Sequence, residues 1–252
     1  MACYVVGHLH ANDASAAYAF HHVHAQANQN LRTRSEDEIR EIAENGFMYG
    51  ARKCSGASIV GDPVGGALVG LCYGFLDEML GVWELGGLCV DEDIDHDVVW
   101  VLAGLALATT IVAGQALEAG LSVVANVVVS NQAPLNLLKG MGFKKRGTFE
   151  RDGRQLEQYE FGIDGLHRLH HWFDRLRTRP SNGATIAVEL VLGWTLDDLQ
   201  SYLPRYGSFE SLGEQQSNAR ERPEPRRSWT APSALGALGE QLVRALRRLL
   251  SW

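Results

Sequence analysis

Residues 98–117 form a run of twenty without a single charge, VVWVLAGLALATTIVAGQAL, and this run constrains the fold most. Its length is enough to cross a bilayer. Three features point elsewhere. Asp97 and Glu118 flank it, and no Lys or Arg anchors either end. Gly104, Thr109, Thr110, Gly114 and Gln115 dilute its hydrophobicity. The next segment, 122–129 (SVVANVVV), has the composition of a strand buried on both faces, as in a parallel sheet. A core helix crossing over between two parallel strands accounts for both segments.

The rest of the chain fits an α+β plan around that crossover. Residues 4–10 read as a strand and the Ala-rich stretch 14–27 as a helix, with Asp13 its expected N-cap. Ser35 and Glu38 form a capping box for a second helix, stopped by Gly46. Short strands are expected at 48–53 and 58–60, with a Gly/Pro turn at 61–66. Longer strands follow at 67–76 and 82–90, around a turn near Gly81. The core helix is expected over 97–117. A short helix over 133–141 ends at Gly142. Strands at 143–150 and 155–163 close a hairpin at Asp152-Gly153. Beyond Gly165 come a helix (166–178), a strand (184–192) and a helix capped by Thr195 (195–203).

These elements set the expected domains. A core domain spans 1–165 and an αβα extension 166–207. Residues 208–232, rich in Glu, Arg and Pro, read as a flexible linker. Residues 233–252 read as an amphipathic basic helix, with Leu235, Leu238, Leu242, Leu246 and Leu249 on one stripe. That helix suits a protein partner or a membrane surface.

The chain has 252 residues, enough for a core without disulfides or structural metal. Its charge is uneven. Residues 1–126 carry net −11 and residues 127–252 net +4. No Lys or Arg occurs between Lys53 and Lys139, a stretch holding ten acids. Such a domain is no sequence-specific nucleic-acid binder, and it suits a cationic substrate. Cys3, Cys54, Cys72 and Cys89 have no paired spacing and read as reduced thiols. With no basic-then-apolar N-terminus, a cytoplasmic location is expected.

Two motifs carry a family resemblance. Asn131 to Phe143 (NQAPLNLLKGMGF) resembles the GNAT N-acetyltransferase pattern of an Asn after the fifth strand, a short helix and a closing Gly-Phe. Trp83 to Val90 (WELGGLCV) is similar to the family's fourth strand. The resemblance covers about residues 47–163. It implies a GNAT-like, mostly antiparallel mixed sheet whose central parallel strands splay apart. It implies acetyl-CoA as donor and an amine as acceptor, on a small molecule or a protein. The exposed edge of Leu88, Cys89 and Val90 would pair with the pantetheine arm. The turn Asp95, His96, Asp97, Val98, Val99 and Trp100 would face the pyrophosphate. Asn131 and Asn136 would hydrogen-bond the cofactor, and Glu84 would be the general base.

The sequence departs from the family at two places. The pyrophosphate loop of the family reads Arg/Gln-x-x-Gly-x-Gly/Ala. Here Asp95 stands at the Arg/Gln position, both glycines are missing, and Asp91, Glu92, Asp93 and Asp97 crowd the turn. The family's frequent general-acid Tyr is Leu138. A second reading follows: a GNAT fold without CoA chemistry acting as a binding or inhibitory module, or one using another donor or a metal. His8 and His10, the trio His21, His22 and His24, and the stripe His167, His171 and Asp174 are the histidine clusters, and no metal set is assigned to them.

Overall fold

The computed structural model describes residues 2–54, 66–114, 122–178 and 184–203. The chain divides into two units, Met1–Phe209 and Glu210–Trp252, and every described residue belongs to the first. The expected strand at 58–60, the last residues of the core helix, the linker and the terminal amphipathic helix lie outside the described residues.

Eight strands form one mixed sheet. They are β1 (Ala2–Leu9), β2 (Phe47–Lys53), β3 (Leu68–Asp77), β4 (Val82–Val90), β5 (Val123–Val128), β6 (Phe143–Arg151), β7 (Arg154–Phe161) and β8 (Ala184–Glu189), in the order β6-β7-β5-β4-β3-β2-β1-β8. Strands β1 to β4 run as an antiparallel meander. Strand β5 lies parallel to β4, and β8 parallel to β1. This is the expected α+β, mostly antiparallel mixed sheet.

The helices cover both faces. On one face lie α1 (Ala14–Ala27) and α2 (Glu36–Asn45), over a core of Leu9, Ile39, Ile42, Met48, Leu71, Tyr73 and Cys89. On the other lies α3 (His96–Val112), with α4 (Leu135–Met141), α5 (Ile163–Thr178) and α6 (Leu196–Tyr202) beside it.

The uncharged run is α3, and it is a core helix. Val98, Leu102, Leu105, Ala106 and Leu107 are fully buried, as a helix apolar on all sides requires. Its two threonines are buried but satisfied. Tyr49 and Thr109 hydroxyls bond at 2.7 Å, and Thr110 Oγ1 donates to Ala106 O. Gly74 on β3 makes room for this approach: a Cβ there would fall 2.0 Å from Thr110 Oγ1. No helix among the described residues is long and apolar enough to cross a membrane.

One expected cap is absent. Asp13 makes no side-chain bond to the first turn of α1. Its carboxylate instead accepts from the His10 N–H at 3.0 Å and from Arg52 Nη2 at 3.2 Å. A guanidinium outcompetes the weak gain of an N-cap for the same oxygen atoms.

Candidate functional site

The site begins where two parallel strands part. Strands β4 and β5 pair only at Trp83↔Val123 and Glu84↔Val124. Beyond that point the edges diverge around a cavity of about 100 Å³. Leu85 to Leu88 form one wall and Ala125 to Val128 the other. Asn131, Leu137 and Leu138 line it beyond β5, and Asn30 and Leu31 of the α1–α2 loop reach in from the other face. That loop is tied down by Ser130 Oγ donating to Asn30 Oδ1 at 3.2 Å.

A bulge shapes the β4 wall. Tyr73 pairs with Gly86 and Leu71 with Cys89, so Cys72 alone faces both Gly87 and Leu88. Gly87 takes φ +60, and the Tyr73 ring fills the place of its missing side chain: a Cβ would lie 1.9 Å from Cε1. The extra residue reverses the alternation of the strand. Glu84 shares the α1–α2 face with its pair partner Phe75. After the bulge, Leu88 and Val90 pack toward α3 while Cys89 joins the α1–α2 core.

Glu84 is the central polar group. Asn126 Nδ2 donates to its Oε2 at 2.9 Å. Arg151 Nη1 reaches the same oxygen at 3.5 Å, and Arg151 Nη2 holds Asp77 at 3.0 Å. Burial pushes the Glu84 carboxyl above the usual carboxylate range, against the pull of Arg151, Arg34 and the Asn126 bond. Beside it, Arg34 is buried, donates from Nε to Tyr73 OH at 2.8 Å, and stacks 4.7 Å over the Phe75 ring. Burial also lifts the Tyr73 phenol to about 12. His21 of α1 lies nearby, its ring centroid 6.3 Å from that of Tyr73. It is 1% exposed, neither ring nitrogen has a partner among the described residues, and burial with the nearby Arg34 charge holds it down at about 4.

An open groove of about 480 Å³ adjoins the Glu84 network. Leu80, the 146–151 stretch of β6 and Gln158 line it. It shares Arg151 with Glu84, and Gln158 Nε2 reaches Asn126 Oδ1 at 3.4 Å. Glu84 lines neither opening, but Asn126 of the cleft and Arg151 of the groove both bond its carboxylate.

The sequence-derived candidates divide into separate groups. Leu88 and Asn131 line the cleft, and Glu84 stands at its paired end. Cys89 and Val90 contribute backbone on the β4 edge but no cavity wall. Asn136 is exposed and lies outside the lining. Val98 is core and Val99 is partly buried against it. His96, Asp97 and Trp100 line a different cavity, of about 660 Å³, closed by Trp172, His167 and His171 of α5 and by Ile186 of β8. That larger cavity includes neither Glu84 nor the splayed edges.

The fit to acetyl-CoA also divides. The cleft offers unpaired strand edges and apolar walls, and fits a pantetheine arm. The first turn of α3 does not fit a diphosphate. Asp95 Oδ1 caps the Asp97 N–H at 2.8 Å, and the Val98 N–H bonds Asp95 O at 3.0 Å. Asp91 accepts from His24 at 3.2 Å and Asp93 from Lys53 at 3.3 Å.

Sequence reasoning missed Asn126, Arg34, Tyr73 and Arg151, and named His21 only as part of a histidine cluster. Only Asn126 left a local signal, as the single polar residue within VVANVVV. Burial lifts the Cys72 thiol to about 12 and that of Cys89 higher still, which disfavours the reactive thiolate at both.

No protein-family model matches the chain, and no curated protein does. Solved structures do. An N-acetyltransferase from Staphylococcus aureus is 11% identical, with 63% of this chain and 96% of that one covered, at a TM-score of 0.44. A chimera of the spermidine N-acetyltransferase SpeG from Vibrio cholerae is 14% identical, covering 66% and 98%, at 0.44. A GNAT-family acetyltransferase from Streptococcus pneumoniae is 15% identical, covering 63% and 99%, at 0.43. The order of elements and the split between a fourth and a fifth parallel strand, closed by a short helix and a hairpin, are the arrangement that the resemblance to the GNAT N-acetyltransferases implies.

Proposed function

We propose that this protein transfers an acyl group from a thioester to an amine. The observation that carries the reading is one carboxylate bonded by a residue of each of two openings, Asn126 of the cleft and Arg151 of the groove. The splayed β4–β5 cleft suits an extended thioester arm, the β6 groove admits an acceptor, and Glu84 stands between them.

Glu84 takes a proton from the incoming ammonium group and leaves a free amine. The amine nitrogen then attacks the thioester carbonyl carbon, an amide C–N bond forms and the C–S bond breaks. The leaving sulfur takes the second proton from nitrogen, since Leu138 occupies the family's general-acid position. Asn126 and Arg151 hold the carboxylate in place. The raised pKa of Glu84 brings its basicity nearer to neutral pH, where a base works best.

Glu84, Asp77 and Glu38 are matched in number by Arg151, Arg34 and Arg32 around the site. The net charge of −11 over residues 1–126 favours an acceptor that brings positive charge, such as a polyamine or a Lys-rich segment. The test is thiol release from acetyl thioesters with spermidine and Lys peptides. Turnover that drops by about 10²-fold or more in Glu84→Gln supports the reading. No release from any thioester, with any amine, overturns it in favour of a binding module without this chemistry.

A further inference from the structure

The cleft and the α3 turn disagree about the donor. The cleft keeps what a thioester arm needs. Its apolar walls run along two unpaired strand edges from the Glu84 end toward Leu88 and Asn131. The turn that should hold a diphosphate is closed to one.

A helix N-terminus binds phosphate through free N–H groups and a positive field. In α3 an internal anion already uses that field. Asp95 Oδ1 sits 2.8 Å from the Asp97 N–H, where a phosphate oxygen would bind. The next N–H, of Val98, bonds Asp95 O. Around the turn stand Asp91, Glu92, Asp93, Asp95 and Asp97. His24 and Lys53 pair with Asp91 and Asp93. Glu92, Asp95 and Asp97 have no basic side chain within ion-pair distance among the described residues. Two phosphate charges brought here meet the Glu92, Asp95 and Asp97 carboxylates over distances too short for salt to screen fully, with Arg168 and Arg175 in the cavity that Asp97 lines as the opposing charges.

We propose that the donor is a thioester on a pantetheine-type arm without the nucleotide diphosphate, and that the acidic first turn of α3 selects against acyl-CoA. This rests on the acyl-transfer reading of the same cleft. The selectivity follows anionic charge: a neutral arm binds best, one phosphate weakens binding, and the full nucleotide diphosphate weakens it most.

Calorimetry on the full chain tests this with S-acetylpantetheine, S-acetyl-4′-phosphopantetheine and acetyl-CoA. At low salt, the neutral thioester is expected to bind about tenfold or more tightly than acetyl-CoA, with the monophosphate between. The gap should shrink at about 0.5 M salt. It should also shrink in the Asp95→Asn, Asp97→Asn double variant, where Asn keeps the helix cap. Acetyl-CoA binding as tightly as S-acetylpantetheine to the unaltered chain overturns the inference and leaves acyl transfer standing. A gap that the double variant leaves unchanged overturns the role of the acidic turn, and the inference with it. No binding by any of the three overturns both the inference and the acyl-transfer reading.

Discussion

Asn126 on β5 donates a 2.9 Å hydrogen bond to Glu84 on β4, at the last paired rung before the two strands part. The bond favours the ionised carboxylate, while burial opposes it. In Asn126→Ala the Glu84 pKa rises further. The acid limb of the rate–pH profile therefore moves to higher pH, with turnover kept at alkaline pH. A kcat/KM profile against pH checks this, and an unmoved limb contradicts it.

Glu84→Gln removes the base but keeps a side chain that can bond Asn126. The expected loss in kcat/KM is about 10²- to 10⁴-fold. The acid limb disappears with it, because no group with a raised carboxylate pKa remains to titrate. The protein should stay folded, which circular dichroism checks alongside the kinetics.

Gly87→Ala tests the bulge. The new methyl group meets the Tyr73 ring, and a positive φ disfavours any side chain. Strain and overpacking together cost about 2–4 kcal/mol. Chemical denaturation measures the loss. Thioester binding should weaken too, because the bulge forms the wall of the cleft.

His21 makes stability depend on pH. Its folded-state pKa of about 4 lies below the unfolded value of 6.5. The stability it contributes is therefore fully present above about pH 6.5 and is lost as pH falls toward 4. The full effect is roughly 3 kcal/mol. His8, also held near 4 by burial, adds to the same slope. Melting temperatures across this window should fall less steeply in His21→Phe than in the unaltered chain.

Local chemistry was legible in the sequence. Ser35 and Glu38 close their capping box, as do Thr195 and Asp198. Gly142 ends α4 in the left-handed region, and Asp152-Gly153 turns the hairpin with both residues at positive φ. The run 98–117 foretold the core helix and the parallel strand after it. What stayed hidden depends on distant partners. Asp13 reads as a cap until Arg52, 39 residues away, takes its oxygen. The Asn126–Glu84 bond spans 42 residues, and Arg34 reaches Tyr73 across 39. The bulge at Gly87 depends on how β4 pairs with β3, which no single-strand pattern reveals.

The most direct measurement is a backbone amide NMR titration of the protein with S-acetylpantetheine. The account predicts the largest shifts along both cleft walls, at Gly86 to Val90 and Ala125 to Val128, with Asn131 and Leu138 following. Shifts confined to Trp100, His171 and Trp172 around the larger cavity, with the cleft amides unmoved, would contradict it.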